Sequence, residues 1–275
     1  MTSAKITFIG GGNMASSIIG GLVAQGFSAN NITVSDPYQP SLDKLGETLA
    51  VQTTQDNNHA VSAADIVVLA VKPQAMQQVA EAMQDAVQAQ KPLIISIAAG
   101  IEMNSLDQWL GGDLAIVRCM PNTPSLVQKG ATALFANTAV TTAQRQQTDQ
   151  ILAAIGIALW VDDEAKLDAV TAVSGSGPAY FFLLMESMQA AGEALGLNKQ
   201  EANQLTLQTA LGAAEMAINS DVDTAELRRR VTSPNGTTEA AINSFENSDF
   251  RAIVNTALTA AKDRSEQLAK ELGGN

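Results

Sequence analysis

Gly10-Gly11-Gly12-Asn13-Met14-Ala15 is the stretch on which the fold turns. It follows the apolar run 5–9, which reads as a strand, and it opens a helix over about 13–25. The spacing is G-x-G-x-x-A. Gly10 permits the tight turn, Gly12 lets the backbone approach a pyrophosphate, and a small third position lets helix and strand pack. Asn13 and Met14 then lie at a helix N-terminus, where free N–H groups and positive potential favour phosphate. A glycine-rich turn without a ligand is the bland alternative. The placement between strand and helix favours a dinucleotide loop.

The chain around this loop alternates short apolar runs with helical patterns. Residues 32–35, 65–71, 93–97, 114–120, 131–136 and 158–161 read as strands, several of them β-branched throughout as strands buried on both faces are. Residues 74–90, 103–110 and 142–155 read as helices between them. Such alternation predicts right-handed crossovers and a mostly parallel, doubly wound sheet: an α/β N-terminal Rossmann domain over 1–163. Beyond it, over 164–275, the pattern is all-helical. Pro178 suits a helix start, and Phe181, Leu184, Met185, Met188 and Leu195 recur at helical spacing with only a narrow polar face. Asn198 with Glu201, and Asp223 with Glu226, form capping-box patterns, and Asp249 is placed to cap a last helix. Helices this apolar are expected to bury surface against a second copy.

Composition narrows the function. With 46% hydrophobic and 16% charged residues in 275, the chain can bury a core. A net charge of −12 argues against a nucleic-acid partner. One cysteine and one histidine leave no cysteine-rich or multi-histidine metal site, so no metal is expected. Residues 1–5 lead straight into the first strand without a targeting pattern, and Ser174-Gly175-Ser176-Gly177-Pro178 breaks the longest uncharged stretch of the second half. No membrane span and a cytoplasmic location are the expectations.

Ligands of open α/β sheets bind outside the carboxyl ends of the strands. At such ends stand Ser35-Asp36, Val71-Lys72-Pro73, Ala98-Ala99-Gly100 and Pro121-Asn122. Asp36 lies where an acid bonds the ribose 2′-hydroxyl and favours NAD, whereas Ser35 can donate a hydrogen bond and no arginine follows. NAD and NADP both stay open. Small residues at 98–100 would let a flat nicotinamide lie on the backbone, and Pro121 and Asn122 could fix its face and its amide. Lys72 is either a solvated rim lysine or a positive charge near the reacting centre.

In the helical part, Ser233-Pro234-Asn235-Gly236-Thr237-Thr238 opens a helix. An N-cap needs one Ser or Thr, so two threonines after a glycine point to a small carboxylate held by free N–H groups. Ser176, in the Ser-Gly-Ser-Gly stretch, reads as part of a second donor-rich helix-start loop. Arg228-Arg229-Arg230 reads as a solvated face pairing with Glu226 and other acids, His59 as an exposed loop residue and Cys119 as inert core.

Taken together, these pieces resemble the pyrroline-5-carboxylate reductase family: Phe8 to Ala15, Ala70-Val71-Lys72-Pro73, Ser96 to Gly100, Arg118 to Pro124, Val173 to Tyr180 and Ser233 to Thr238, in family order. Many members carry a second glycine where this chain has Asn235. The resemblance implies a domain-swapped homodimer, with a decamer in some relatives, and an NADPH preference against which Asp36 stands. It assigns Asn57 to the adenosine ribose and Ser35 to the 2′-phosphate neighbourhood. It implies hydride transfer to a cyclic imine carboxylate, giving L-proline in the last step of proline biosynthesis. The loop from Ser233 through Asn235, Gly236 and Thr237 to Thr238 would hold the carboxylate, and the Thr238 hydroxyl would bond the ring nitrogen. A 3-hydroxyacid dehydrogenase would share the layout but needs a lysine in the helix after the Ser-Gly stretch, and 180–195 has none. A nucleotide-sensing regulator would need a recognition surface, which for DNA the charge disfavours.

Overall fold

The computed structural model describes residues 4–273; residues 1–3, part of the segment read for a targeting pattern, lie outside it. The chain forms two compact units, one of residues up to Ser176 together with Ala261 onward, the other Gly177–Ala260. Compactness thus divides the chain differently from a cut at 163/164.

The first unit runs β1 (Ile6–Ile9), α1 (Asn13–Ala24), β2 (Ile32–Ser35), α2 (Gln39–Leu49), β3 (Gln52–Thr54), α3 (Asn57–Val61) and β4 (Ile66–Leu69). It continues with α4 (Pro73–Ala82), α5 (Gln84–Gln90), β5 (Leu93–Ser96), α6 (Met103–Trp109), β6 (Ile116–Met120), β7 (Gly130–Ala136), α7 (Thr142–Leu152), β8 (Gly156–Trp160) and α8 (Lys166–Val170). The eight strands form one sheet in the order β3-β2-β1-β4-β5-β6-β7-β8. All neighbours are parallel except β6 and β7, so β7 and β8 run opposite to the rest. The strand order, not the strand direction, reverses at β1, which is flanked by β2 and β4, both parallel to it.

The β-branched runs are buried as their chemistry requires. Ile66 and Val68 join an apolar cluster with Ile6, Phe8, Ile18 and Ile32, while Val67 and Leu69 join a second with Ile94, Met76 and Met83. Alternate residues of one strand therefore feed opposite faces of the sheet. Each fully buried Ile, Leu or Val contributes about 1.5–3 kcal/mol.

Three differences from the sequence reading have local causes. The helix expected over 74–90 is two, parted at Met83, whose φ of −108° and ψ of 7° leave the helix so that its fully buried side chain packs in the second cluster. Residues 37–61 hold α2, β3 and α3, none of them expected from this polar stretch, and His59 sits exposed on α3 rather than in a loop. The Ser-Gly-Ser-Gly segment is no helix-start loop. Residues Thr171–Gly175 form a π-helical turn that continues α8, with the Ser176 N–H donating to the Thr171 carbonyl at 2.8 Å.

The second unit holds α9 (Gly177–Ala194), α10 (Lys199–Ile218), α11 (Thr224–Arg230), α12 (Thr237–Asn247) and the start of α13 (Phe250–Leu272). Pro178 takes the second position of α9. The box at Asn198 is complete: the Glu201 N–H donates to Asn198 Oδ1 at 3.0 Å and the Asn198 N–H to Glu201 Oε2 at 2.8 Å. At Asp223 only half forms, because the Glu226 carboxylate turns to Arg229 and Arg230 instead. Those two guanidinium groups, Arg229 foremost, hold its carboxyl down to about 2. Arg228 and Arg251 pair with Glu246, so the arginine run is a paired surface cluster. Asp249 does not cap α13: its φ of 55° is left-handed, whereas an N-cap is extended.

Few side chains of this unit are buried. In α9 only Gly177 is, and α11 and α12 have none. Phe181, Phe182 and Leu183 stand open to solvent at 63%, 63% and 64% exposure. Leu184, Met188, Ile242, Phe245, Phe250 and Val254 line an apolar groove of about 600 Å³, rimmed by Arg228, Glu246 and Arg251. Five α-helical segments thus leave an unusually large apolar surface exposed, as surfaces that bind another protein do.

From Ala261 on, α13 belongs to the first unit. Ser265 and Ala269 are buried, and the Ser265 hydroxyl donates to Asp168 Oδ1 at 2.6 Å. Leu272 packs on the cluster that contains Ala98 and Ile101, and the Ser105 hydroxyl donates to the Gly273 carbonyl at 3.1 Å.

Candidate functional site

The parallel strands β3-β2-β1-β4-β5-β6 bring their carboxyl ends to one edge. That edge collects every nucleotide-side residue singled out in the sequence. Gly10 to Met14 follow β1, Ser35 and Asp36 end β2, Asn57 follows β3, and Val71, Lys72 and Pro73 follow β4. Ala98, Ala99 and Gly100 follow β5, and Pro121 and Asn122 follow β6.

Gly10 must be glycine. Its φ is 103°, and a Cβ there would stand 2.7 Å from the Ala70 carbonyl oxygen at the end of β4. Gly12, by contrast, faces open space: a Cβ there would meet nothing within 4 Å. It caps α1 without a side-chain bond, and the N–H groups of Asn13 and Met14 have no acceptor among the described residues. Uncapped donors, the positive helix end and vacant room over Gly12 fit a dinucleotide pyrophosphate.

Next to this loop, the buried Ser35 hydroxyl donates to Asn57 Oδ1 at 2.6 Å. Asp36 turns its carboxylate to backbone, accepting from the Gly11 N–H at 2.7 Å and from the Tyr38 N–H at 2.8 Å. Lys72 is exposed, takes the N-cap position of α4 and has no side-chain partner among the described residues. Ala98 is buried while Ala99 is open to solvent.

Pro121 and Asn122 are buried. Asn122 Oδ1 accepts from the Ala131 N–H at 2.9 Å, and Asn122 Nδ2 donates to the Ser174 carbonyl at 3.0 Å. The carboxamide is engaged at both ends by backbone, with a single N–H left for any other partner. Sequence explains why Ser174 needs this donor. In an α-helix its carbonyl would accept from residue 178, which is proline and has no N–H. One pairing on this strand escaped the sequence reading. Arg118 on β6 is paired with Glu164, whose Oε1 also accepts from the Met103 N–H at 2.8 Å, at the start of α6. Cys119 is buried, and desolvation drives its thiol far above the ordinary cysteine value, against a smaller pull from Arg118.

The remaining residues lie in the second unit, except Ser176, the last residue of the first. Asn235 has a φ of 60°, and its N–H donates to Glu239 Oε2 at 2.7 Å. Gly236 caps α12 without any side chain. Thr237 and Thr238 therefore stand inside the first turn, with N–H groups and hydroxyls that have no partner among the described residues. Ser233, just before them, is exposed. The end is a carboxylate-sized array of donors on an 11-residue helix.

Comparison with known proteins agrees with both halves. Residues 164–268 match the family model described as pyrroline-5-carboxylate reductase dimerisation, and residues 5–100 match one described as NADP oxidoreductase, coenzyme F420-dependent. A pyrroline-5-carboxylate reductase of Pseudomonas aeruginosa is 58% identical over 273 residues, covering 99% of this chain and 100% of that one. A solved pyrroline-5-carboxylate reductase from Coxiella burnetii is 46% identical with a TM-score of 0.94, covering 98% of this chain and 99% of its own. The Plasmodium falciparum enzyme, solved with NADP bound, is 30% identical with a TM-score of 0.86, over 98% of this chain and 99% of its own. Identity at this level, end to end along both chains and spanning both the dinucleotide edge and the helical unit, makes this chain a member of the pyrroline-5-carboxylate reductase family.

Proposed function

We propose that the chain reduces 1-pyrroline-5-carboxylate to L-proline with a reduced nicotinamide dinucleotide, the last step of proline biosynthesis. The observation that carries this reading is the α12 N-terminus, uncapped by any side chain and followed by two unpartnered threonines, in a chain that also builds a dinucleotide edge. When bound, the coenzyme supplies the hydride. The chain supplies positioning. N–H groups of Asn13 and Met14 hold the pyrophosphate, Ser35 and Asn57 take the adenosine ribose, and Val71, Pro73 and the 98–100 loop bed the nicotinamide. Ser35 and Asn57 support a preference for the phosphorylated coenzyme. Lys72 serves as an exposed cation at the rim.

On the substrate side, the N–H groups of Thr237 and Thr238 hold the carboxylate, while the Gly236 N–H donates to the Ser233 carbonyl at 3.0 Å and so shapes the loop, with Ser176, Ser233 and Asn235 shaping the approach. The Thr238 hydroxyl oxygen accepts from the protonated ring nitrogen. That nitrogen already carries its proton, so the imine carbon is electrophilic and no side-chain acid is needed. Orientation of two bound partners can supply about 7–11 kcal/mol in good cases. The poorly buried helices support a homodimer, and relatives' dimerisation segment supports the same assembly here.

The test is oxidation of NADPH and NADH in parallel, with pyrroline-5-carboxylate as substrate and a keto acid as control. Turnover with the imine alone is expected; turnover with the keto acid alone refutes the assignment. Thr238→Val should lower kcat/KM by about 1.5–3 kcal/mol, the worth of a hydrogen bond to a charged group. Unchanged kinetics would remove Thr238 from the site.

A further inference from the structure

Asp36 carries a charge where an acid ordinarily reads the ribose, yet both its oxygens face backbone amides. Its Oδ2 accepts from the Gly11 N–H at 2.7 Å, and its Oδ1 from the Tyr38 N–H at 2.8 Å. One residue earlier, the Gly10 N–H donates to the Ser35 carbonyl at 2.7 Å. Two successive amides of the glycine loop are thus tied to the end of β2, one by backbone and one by this carboxylate. Gly11 is buried, and a Cβ on it would stand 3.1 Å from Leu45 Cδ1, so the residue is packed closely against β2 and α2. Asp36 is meanwhile fixed from the other side, since its own N–H donates to the Thr54 carbonyl at 3.3 Å. The hydroxyl and carboxamide beside it, Ser35 and Asn57, are bonded to each other and not to Asp36.

We infer that Asp36 is a positioning residue of the glycine loop, acting on phosphorylated and unphosphorylated coenzymes alike, and not the group that discriminates between them. The inference rests on the dinucleotide reading of the β1–α1 loop. Charge-assisted bonds from two amides hold the carboxylate toward the loop, and the loop in turn presents the Asn13 and Met14 amides. Loss of the tie leaves a buried amide unsatisfied and lets the phosphate cradle wander.

Two substitutions separate position from charge. Asp36→Asn keeps the volume and one acceptor but removes the charge. Asp36→Glu keeps the charge but is too long to accept from both amides in place. Positioning predicts that both variants raise KM for NADPH and NADH by a common factor of about tenfold, with kcat far less affected and the NADPH-to-NADH ratio within about twofold of wild type. Asp36→Asn improving NADPH selectively, with Asp36→Glu behaving as wild type, would overturn the inference in favour of charge repulsion. Unchanged KM values in both variants would overturn it as well. Residue-resolved hydrogen exchange on the coenzyme-free wild type gives a check that needs no variant. The Gly11 amide should exchange at least about tenfold slower than the acceptor-free Asn13 amide, and equal rates contradict the tie. Failure of the wild type to bind either coenzyme would instead sink the dinucleotide reading, and the Gly11 result would stand apart from it.

Discussion

Replacing Asn122 by alanine tests whether this residue is a structural clamp, apart from its proposed place beside the coenzyme. The substitution removes two bonds, the acceptor for the Ala131 N–H and the donor to the Ser174 carbonyl. An unsatisfied buried backbone group costs about 1–3 kcal/mol. Both bonds are only part-buried, so the lower portion of that range applies, about 1–2 kcal/mol each. Asn122→Ala should therefore lose about 2–4 kcal/mol, and Tm should fall by roughly 2–4 °C for each kcal/mol. Asn122→Asp sharpens the test. Its carboxylate keeps the acceptor for Ala131 but sets negative charge against the Ser174 carbonyl. At neutral pH it should be at least as damaging as alanine. The charged form is penalised by the fold, so the introduced acid titrates above its unfolded value. As the pH falls through the raised value, the folded protein takes up this proton and the acid can donate to Ser174, so part of the loss should return between that value and the unfolded one. The assay is urea unfolding at fixed protein concentration, from neutral to mildly acidic pH. A loss under about 0.5 kcal/mol in Asn122→Ala would refute the clamp, since even one missing bond exceeds it.

Two further outcomes are expected. Cys119 should resist alkylation at pH 8 in the folded protein and react only on unfolding, because burial keeps its thiol protonated; rapid labelling of the native protein would contradict this. Phe182→Asp should convert the expected dimer to monomer by light scattering, since the exposed Phe181-Phe182-Leu183 run needs cover; an unaltered mass would place the interface elsewhere.

Where sequence signals were strong, they located elements to within a residue or two. β1, β2, β5 and β6 announce themselves as β-branched runs, and Gly10 to Ala15 marks a turn whose first position only glycine can fill. α2, β3 and α3 escaped because 37–58 is polar and weakly periodic. The break at Met83 carries no Gly or Pro; only burial of its side chain explains it. Ser174 to Pro178 has the composition of a loop, and nothing local says that a carboxamide 52 residues upstream will take over the missing helical bond. Glu164 has the same history. It looks like part of a charged junction, yet it pairs with Arg118 and receives the Met103 amide, a role that only the folded sheet edge creates.

The return of α13 to the first unit has a consequence for synthesis on the ribosome. Leu272 backs the cluster under Ala98, and Gly273 receives the Ser105 hydroxyl. These partners leave the exit tunnel only after the whole of 177–260 has been made. Domains generally fold as they emerge, N-terminal first. Here the nascent sheet can assemble early, but the bed of the 98–100 loop is still open when the helices of 177–260 have already emerged. The sheet edge is therefore completed only after the helical segment has emerged, and a chain truncated before residue 261 would lack both Leu272 under Ala98 and the carbonyl that receives Ser105.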